Sequence, residues 1–354
     1  MTKTKKNYTN VWLSKGGGTS SFEKRCELNT RAALITAALI TLTLGAALIF
    51  TGCPNSAGGS GAGSTTPPAP VGSYNAATGE GIVGDVEFTM KKIAAVTGKT
   101  VGHNDKGDNK PHTVSLSAYR IGETEVTQEL WQAVMGTNPS KFQGAGKEPA
   151  SGETQGKRPL ENVNWYHAIA FCNKLSIACK LEPCYRVTVG GNQIDFATLE
   201  YNAIPTSNNA DWNKAVLDMS KKGFRLPTEA EWEWAAKGGT EDKWAGTNEQ
   251  TQLKNYAWYD ANSGRKTHEV KKKQPNGYGL YDMSGNVWEW CWDWYSSTTP
   301  AGGQDPAGVP SGSFRVQRGG CWFHDSFNVV RAFRGYISPV IREDNLGFRL
   351  ACRP

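Results

Sequence analysis

Hydrophobic and polar positions along this chain switch repeatedly between the period of a strand and that of a helix. Val114-Ser115-Leu116-Ser117-Ala118-Tyr119-Arg120-Ile121 alternates as a half-buried strand does. A helix is predicted next, with Thr127 as its N-cap and Gly136 as its stop. A second opens after Asn164, where Trp165, Ala168, Ile169, Cys172 and Leu175 recur at three- and four-residue spacing and share one face. That placement makes Cys172 a core residue rather than a reactive thiol. A third helix follows Pro227, with Thr228 and Glu231 forming a T-x-x-E capping box, and runs to Gly238. Trp288, Trp290, Trp292 and Trp294 then recur at period two, so an extended segment puts the four rings on one face, where core packing is the better use for them.

Upstream the pattern changes character. Lys24, Arg25 and Arg31 precede an uninterrupted apolar stretch from Ala32 to Phe50, which stops at Thr51-Gly52-Cys53. This resembles a bacterial lipoprotein signal over residues 1–52: small residues before Cys53 admit a signal peptidase, and the Cys53 thiol takes the lipid. The competing reading is an uncleaved membrane-spanning anchor, since the apolar stretch is long enough to cross a bilayer. Each buried acyl methylene contributes about 0.8 kcal/mol, so two or more chains hold stably. Residues 53–84, rich in Gly, Ser, Ala, Pro and Thr, read as a flexible tether spanning about 30 Å on average. The expected folded body is residues 85–354.

Composition narrows the function. Of 354 residues 38% are hydrophobic and 20% charged, which argues against both disorder and a polytopic membrane protein. Thirteen Trp and forty Gly suggest large rings reached by many tight turns. The net charge of +6 comes mostly from the leader: beyond residue 52 there are 32 bases against 31 acids. A nucleic-acid partner would require a clustered basic excess, and only the run Lys271, Lys272, Lys273 is available, which reads as a solvated turn. Apart from Cys26 in the leader and Cys53, the cysteines are Cys172, Cys179, Cys184, Cys291, Cys321 and Cys352. None has C-x-x-C spacing, which argues against zinc; disulfides are permitted outside the cytoplasm, and fifteen pairings are open. The five His residues are scattered without ligand spacing, and neither a G-x-S-x-G elbow nor a phosphate-cradling loop is present.

Six motifs occur in an order that resembles the formylglycine-generating enzyme (sulfatase-modifying factor) family. They are Val126-Thr127, Pro159 to Trp165, Arg225 to Ala236, Gly279 to Trp290, Arg318-Gly319-Gly320 and Leu346-Gly347-Phe348-Arg349. The resemblance implies an α+β body of C-type-lectin-like fold, with short twisted antiparallel sheets, helices and extensive loops, whose first and last strands pair. The family's oxidases use two cysteines shortly after the Arg-Gly-Gly turn; the matching positions here are His324 and Val329. Cys321 lies three residues too early, and a buried small residue is its simplest role. The three His ligands of related iron-dependent sulfoxide synthases have no candidates. The resemblance also implies calcium at Asp282 and Glu289 with the carbonyls of Gly285 and Val287, hard oxygen donors around a glycine turn. A second family calcium site is incomplete after Asn255 and Tyr256. A plain turn capped by Asp282 is the alternative, and no cofactor is required.

Between Trp322 and Leu346, Lys, Gln, Met and Trp are absent and Glu343 is the only Glu. Pyrimidine-ended codons encode none of these five types. With the lipoprotein leader and the lost cysteine pair, residues 318–354 resemble the variable region of a diversity-generating retroelement target protein, similar to spirochaete surface lipoproteins of that kind. Exchangeable side chains must stand outside an independent core. The expected binding face is therefore Phe323, His324, Asp325, Phe327, Asn328, Val329, Phe333, Gly335, Tyr336, Ile337, Val340, Ile341 and Asp344, whose rings supply area and whose polar groups choose the partner. The competing reading has the apolar members filling core positions, above all Val330 and Ala332, which flank Arg331 and point inward. The expectation is a non-enzymatic monomer, lipid-anchored at the outer surface of the outer membrane, with an unknown protein or glycan ligand and no nucleic acid. Its rival is an extracytoplasmic enzyme of the same family working without paired cysteines.

Overall fold

The computed structural model describes residues 70–354, so the leader, Cys53 and most of the tether lie outside the described residues. Regular structure begins earlier than the composition predicts. Strands β1 (Gly72–Asn75) and β2 (Glu80–Val83) form an antiparallel hairpin inside the stretch read as tether. Tyr74 explains why: its ring lies edge-on to Phe224 at 5.0 Å and parallel to Phe88 at 6.3 Å, and Val83 is buried. Two apolar side chains among small residues, Tyr74 and Val83, thus anchor the hairpin to the body.

β3 (Val86–Ile93), β4 (Val96–Val101), β5 (His112–Leu116) and β6 (Tyr119–Gly122) follow. The strand predicted over 114–121 is two strands in two sheets, broken at Ser117-Ala118. Both the amide and the hydroxyl of Ser117 donate to Asp305, at 2.8 and 2.6 Å, which turns the chain there. The helices α1 (Gln128–Met135) and α2 (Trp165–Ala178) form where predicted. Thr127 accepts from the Leu130 amide, Gly136 closes α1 in the left-handed region at φ 72°, and Asn164 caps α2. Small elements come next: β7 (Tyr185–Arg186), β8 (Thr188–Val189), β9 (Asn192–Gln193), α3 (Ala210–Asn213) and β10 (Val216–Leu217). Helix α4 (Glu229–Lys237) carries the predicted capping box, complete in both directions, and stops at Gly238.

The Trp-rich segment is β11 (Trp288–Trp294). Trp288, Trp290 and Trp292 do enter one core cluster, with Trp292 only partly buried, while the register breaks between Trp290 and Trp294. The other face of β11 is buried as well, carrying Glu289, Cys291 and Asp293. β12 (Gly303–Gln304), β13 (Arg315–Arg318), β14 (Gly335–Ile337), β15 (Leu346–Gly347) and β16 (Ala351–Cys352) complete the chain. Three sheets result, in orders β1-β2-β3-β6-β16, β14-β13-β11-β15 and β12-β5-β4, with two small pairs, β10-β7 and β8-β9. The terminal strands share the first sheet, but β16 pairs with β6 and β1 lies at the far edge, so first and last strands are not direct partners. The six cysteines from Cys172 to Cys352 are all buried and free.

Candidate binding face

The chain from β13 to β15 is irregular, so what holds it is side-chain chemistry rather than a hydrogen-bonded ladder. Helix α4 presents Glu229 and Glu233, one turn apart, to three buried arginines. Arg318 donates to Glu229 at 3.0 Å and to Glu233 at 2.7 Å. Arg334 grips both oxygens of Glu229 at 2.6 and 2.9 Å, and Arg331 donates to the Asp242 carbonyl at 2.6 Å. Ion pairs removed from water are costly unless paired and hydrogen-bonded, so once made they fix geometry. The backbone is held from outside the segment too: Trp244 Nε1 donates to the Ser326 carbonyl at 2.8 Å and Ser263 Oγ to that of Trp322 at 2.6 Å. Asp325 caps its own turn by accepting from the amides of Phe327 and Asn328.

On this frame Phe323, Asp325, Phe327 and Tyr336 stand exposed, Phe327 at 63% and Tyr336 at 50%. His324, Asn328, Phe333, Ile337, Val340, Ile341 and Asp344 are half-buried. Phe333, Ile337 and Val340 lean on the main core, so they contribute edges rather than whole side chains. Two members of the expected face are inside. Val329 is fully buried in a small cluster with Trp244, Leu253 and Ala257. Gly335 is buried too, and a Cβ there would meet the Gln317 side chain at 2.7 Å and the Trp288 ring at 2.9 Å, so a larger residue requires those side chains to shift. Val330 and Ala332 point inward, as their places beside Arg331 suggested. Sequence reasoning missed framework residues at the rim: Phe314 and Val309 are exposed, and Tyr336 stacks on Tyr295 at 4.0 Å with Phe314 at 5.4 Å. Phe314 directly precedes β13, opposite which β14 places Tyr336, but strand pairing was not legible before the fold.

The chemistry beneath the face is quiet. Cys321 Sγ lies 3.2 Å from His324 Nδ1. Burial pushes the Cys321 thiol well above its ordinary pKa, and burial pulls His324 down to about 4, so both are neutral at pH 7. An activated thiolate requires the opposite shift, toward an imidazolium partner.

The residues matching the family's calcium ligands do not fit a cation. Glu289 gives both oxygens to Arg349, each at 2.6 Å, and one also to Trp232 Nε1 at 2.7 Å, with the pair fully buried. Its charge is therefore already balanced. Asp282 accepts from the Lys271 amide through one oxygen, while the other has no hydrogen-bond partner; burial raises this carboxyl to about 6. One carboxylate oxygen with the Gly285 and Val287 carbonyls falls short of the six to eight oxygens calcium takes. Asp282 sits at a positive φ of 57°, and the amide it accepts from, that of Lys271, lies outside its own turn.

The fold, with its curled antiparallel sheets around few helices and its Arg-Gly-Gly turn, defines the class: the chain belongs to the sulfatase-modifying factor enzyme 1-like domain family, whose model matches residues 84–354. Among solved structures, Treponema denticola variable protein 1 is 67% identical, with a TM-score of 0.75 over 78% of this chain and 98% of that one. PvdO from Pseudomonas aeruginosa, at 18% identity, has a TM-score of 0.54 over 76% of this chain and 95% of its own, a likeness of fold. The formylglycine-generating enzyme of Streptomyces coelicolor is 41% identical over 284 residues, 71% of this chain and 83% of the enzyme. The expectation of a variable protein built on a formylglycine-generating-enzyme-like domain is thereby met, and a ligand-binding role fits it.

Proposed function

We propose that this chain is a non-enzymatic, ligand-binding variable protein, lipid-anchored through Cys53 and displayed at the outer surface, whose 323–345 segment is diversified by a retroelement. The observation that carries this reading is the division of labour within that one segment. Phe323, Asp325, Phe327 and Tyr336 reach solvent, while Arg331, Arg334, Val329 and Ala332 lock the backbone from below. Such a segment tolerates exchange of its outer side chains without loss of the fold. Exposed rings flanked by Asp325 and the half-buried His324 suit a macromolecular ligand, protein or glycan, since aromatics give contact area at low entropy cost. The non-enzymatic reading is supported by the neutral Cys321 and His324 and by His324 and Val329 standing where the sequence match places the oxidases' cysteines.

Sequencing sibling copies of the gene tests it. Substitutions should cluster within 323–345, at outward positions, beside an Asn-codon-rich near-repeat and a reverse transcriptase gene. Differences spread evenly over the domain would overturn the reading. Copper-dependent oxygen consumption with a cysteine-containing sulfatase-type peptide would favour the family's enzymes instead.

A further inference from the structure

A pocket of about 150 Å³ opens beside Phe327. It lies where three stretches meet: the loop joining β4 to β5, the loop after α4, and the 323–345 segment. Its apolar wall is Phe327, Val330 and Ala332, and its basic groups are Lys106, Lys243 and Arg331. Lys106 Nζ stands 4.9 Å from the Phe333 ring centroid, and Lys243 Nζ stands 4.7 Å from Trp244 and 5.5 Å from Phe327. Both ammonium groups thus rest on rings, and among the described residues neither has a carboxylate partner. Burial, and then the charge of Lys243, lowers the Lys106 pKa, as expected of two cations facing a common space. Arg331, buried in the same wall, is already paired with Glu241 and Glu233 at 3.5 and 3.6 Å, so the cations left to meet a ligand are Lys106 and Lys243. Asp105, at the mouth, is the acid lining the pocket and leans toward His103 at 3.4 Å.

We infer that this pocket is a subsite for an acidic side chain of a polypeptide ligand, a glutamate whose stem packs on Phe327 and Val330 while its carboxylate meets Lys106 and Lys243. The volume suits one side chain, and two ammonium groups without a carboxylate partner favour an anion over a neutral sugar. Lys106 and Lys243 lie outside the exchangeable segment, so the preference for an anion stays constant while neighbouring side chains change. Fixed charge sets encounter and orientation, and the exchangeable rings set identity. This inference rests on the binding-face reading.

The test is calorimetric titration of the full-length protein with an acetylated tetraglutamate amide, its tetraglutamine counterpart and a heparin-derived tetrasaccharide. The glutamate peptide should bind at least tenfold more tightly than the glutamine peptide, with an affinity that falls as salt rises. The double variant Lys106→Gln, Lys243→Gln should lose most of that difference while melting within a few degrees of the parent. Equal binding of the two peptides, an unchanged affinity in a folded double variant, or tighter binding of the tetrasaccharide would each overturn the subsite. Failure of the face itself is read elsewhere, in sibling genes that vary throughout the frame, and does not depend on the peptides.

Discussion

Arg334 and Glu229 meet through two hydrogen bonds, Nε to Oε1 at 2.6 Å and Nη2 to Oε2 at 2.9 Å, with both side chains buried. The pair fastens the middle of the 323–345 segment to the first turn of α4. Removing one partner of a buried pair strands the other's charge and costs about 3–5 kcal/mol. Arg334→Ala should therefore lower the urea midpoint by that equivalent, and a loss below about 1 kcal/mol would show that the segment is held by something else.

Neighbours in this segment should respond in opposite ways. Phe327→Ser alters an exposed ring and should shift stability by about 0.5 kcal/mol or less. Val329→Ser, two residues on, empties a packed position and buries a hydroxyl, for about 2–4 kcal/mol. Equal losses in thermal melts of the two variants would contradict the separation of face and frame.

A downward slope of stability with rising pH is expected between about pH 6.5 and 8. Burial raises Asp293 to about 8 and Glu161 to about 7, so across this window the folded protein holds protons that the unfolded chain has released. A carboxyl raised in the native state favours folding most below its unfolded pKa and progressively less as pH climbs toward its folded value. His167, lowered to about 3, and His324 act in the opposite sense, but only below pH 6.5, where the unfolded chain takes up their protons. Asp293→Asn still accepts from the Glu229 amide and should flatten the slope of melting temperature against pH. An unaltered slope would exclude Asp293 as its source.

The six described cysteines should resist alkylation at pH 8 in the native protein and react together on unfolding. Each is buried and each thiol is pushed up, Cys179 and Cys184 to about 12 by burial first. Mass-spectrometric mapping of iodoacetamide label settles this residue by residue, and native labelling of Cys321 would show a more open site than the fold describes.

What the sequence disclosed was mostly local. Thr127, Gly136, Asn164 and the Thr228/Glu231 box act within one turn, so their patterns predict α1, α2 and α4 closely. The break at Ser117 was invisible because its cause, Asp305, lies 188 residues away. The same holds for Arg318 with Glu233 and Arg334 with Glu229, separated by 85 and 105 residues. Within 323–345 neither strand nor helix period operates, so nothing local distinguished Phe327, which faces out, from Val329, which Trp244 and Leu253 enclose. Glycine at 335 carries no sign of the Trp288 ring that a Cβ there would crowd at 2.9 Å.

The last strand, β16, joins the first sheet beside β6, and Ala351 exchanges backbone hydrogen bonds with Arg225. The chain downstream of residue 345 therefore closes the fold: a truncation that removes β16 leaves β6 an open edge, which exposes the product to aggregation or proteolysis. Side-chain exchange at the outward positions of 323–345 leaves that closing strand untouched, so the frame is completed by residues that lie beyond the face.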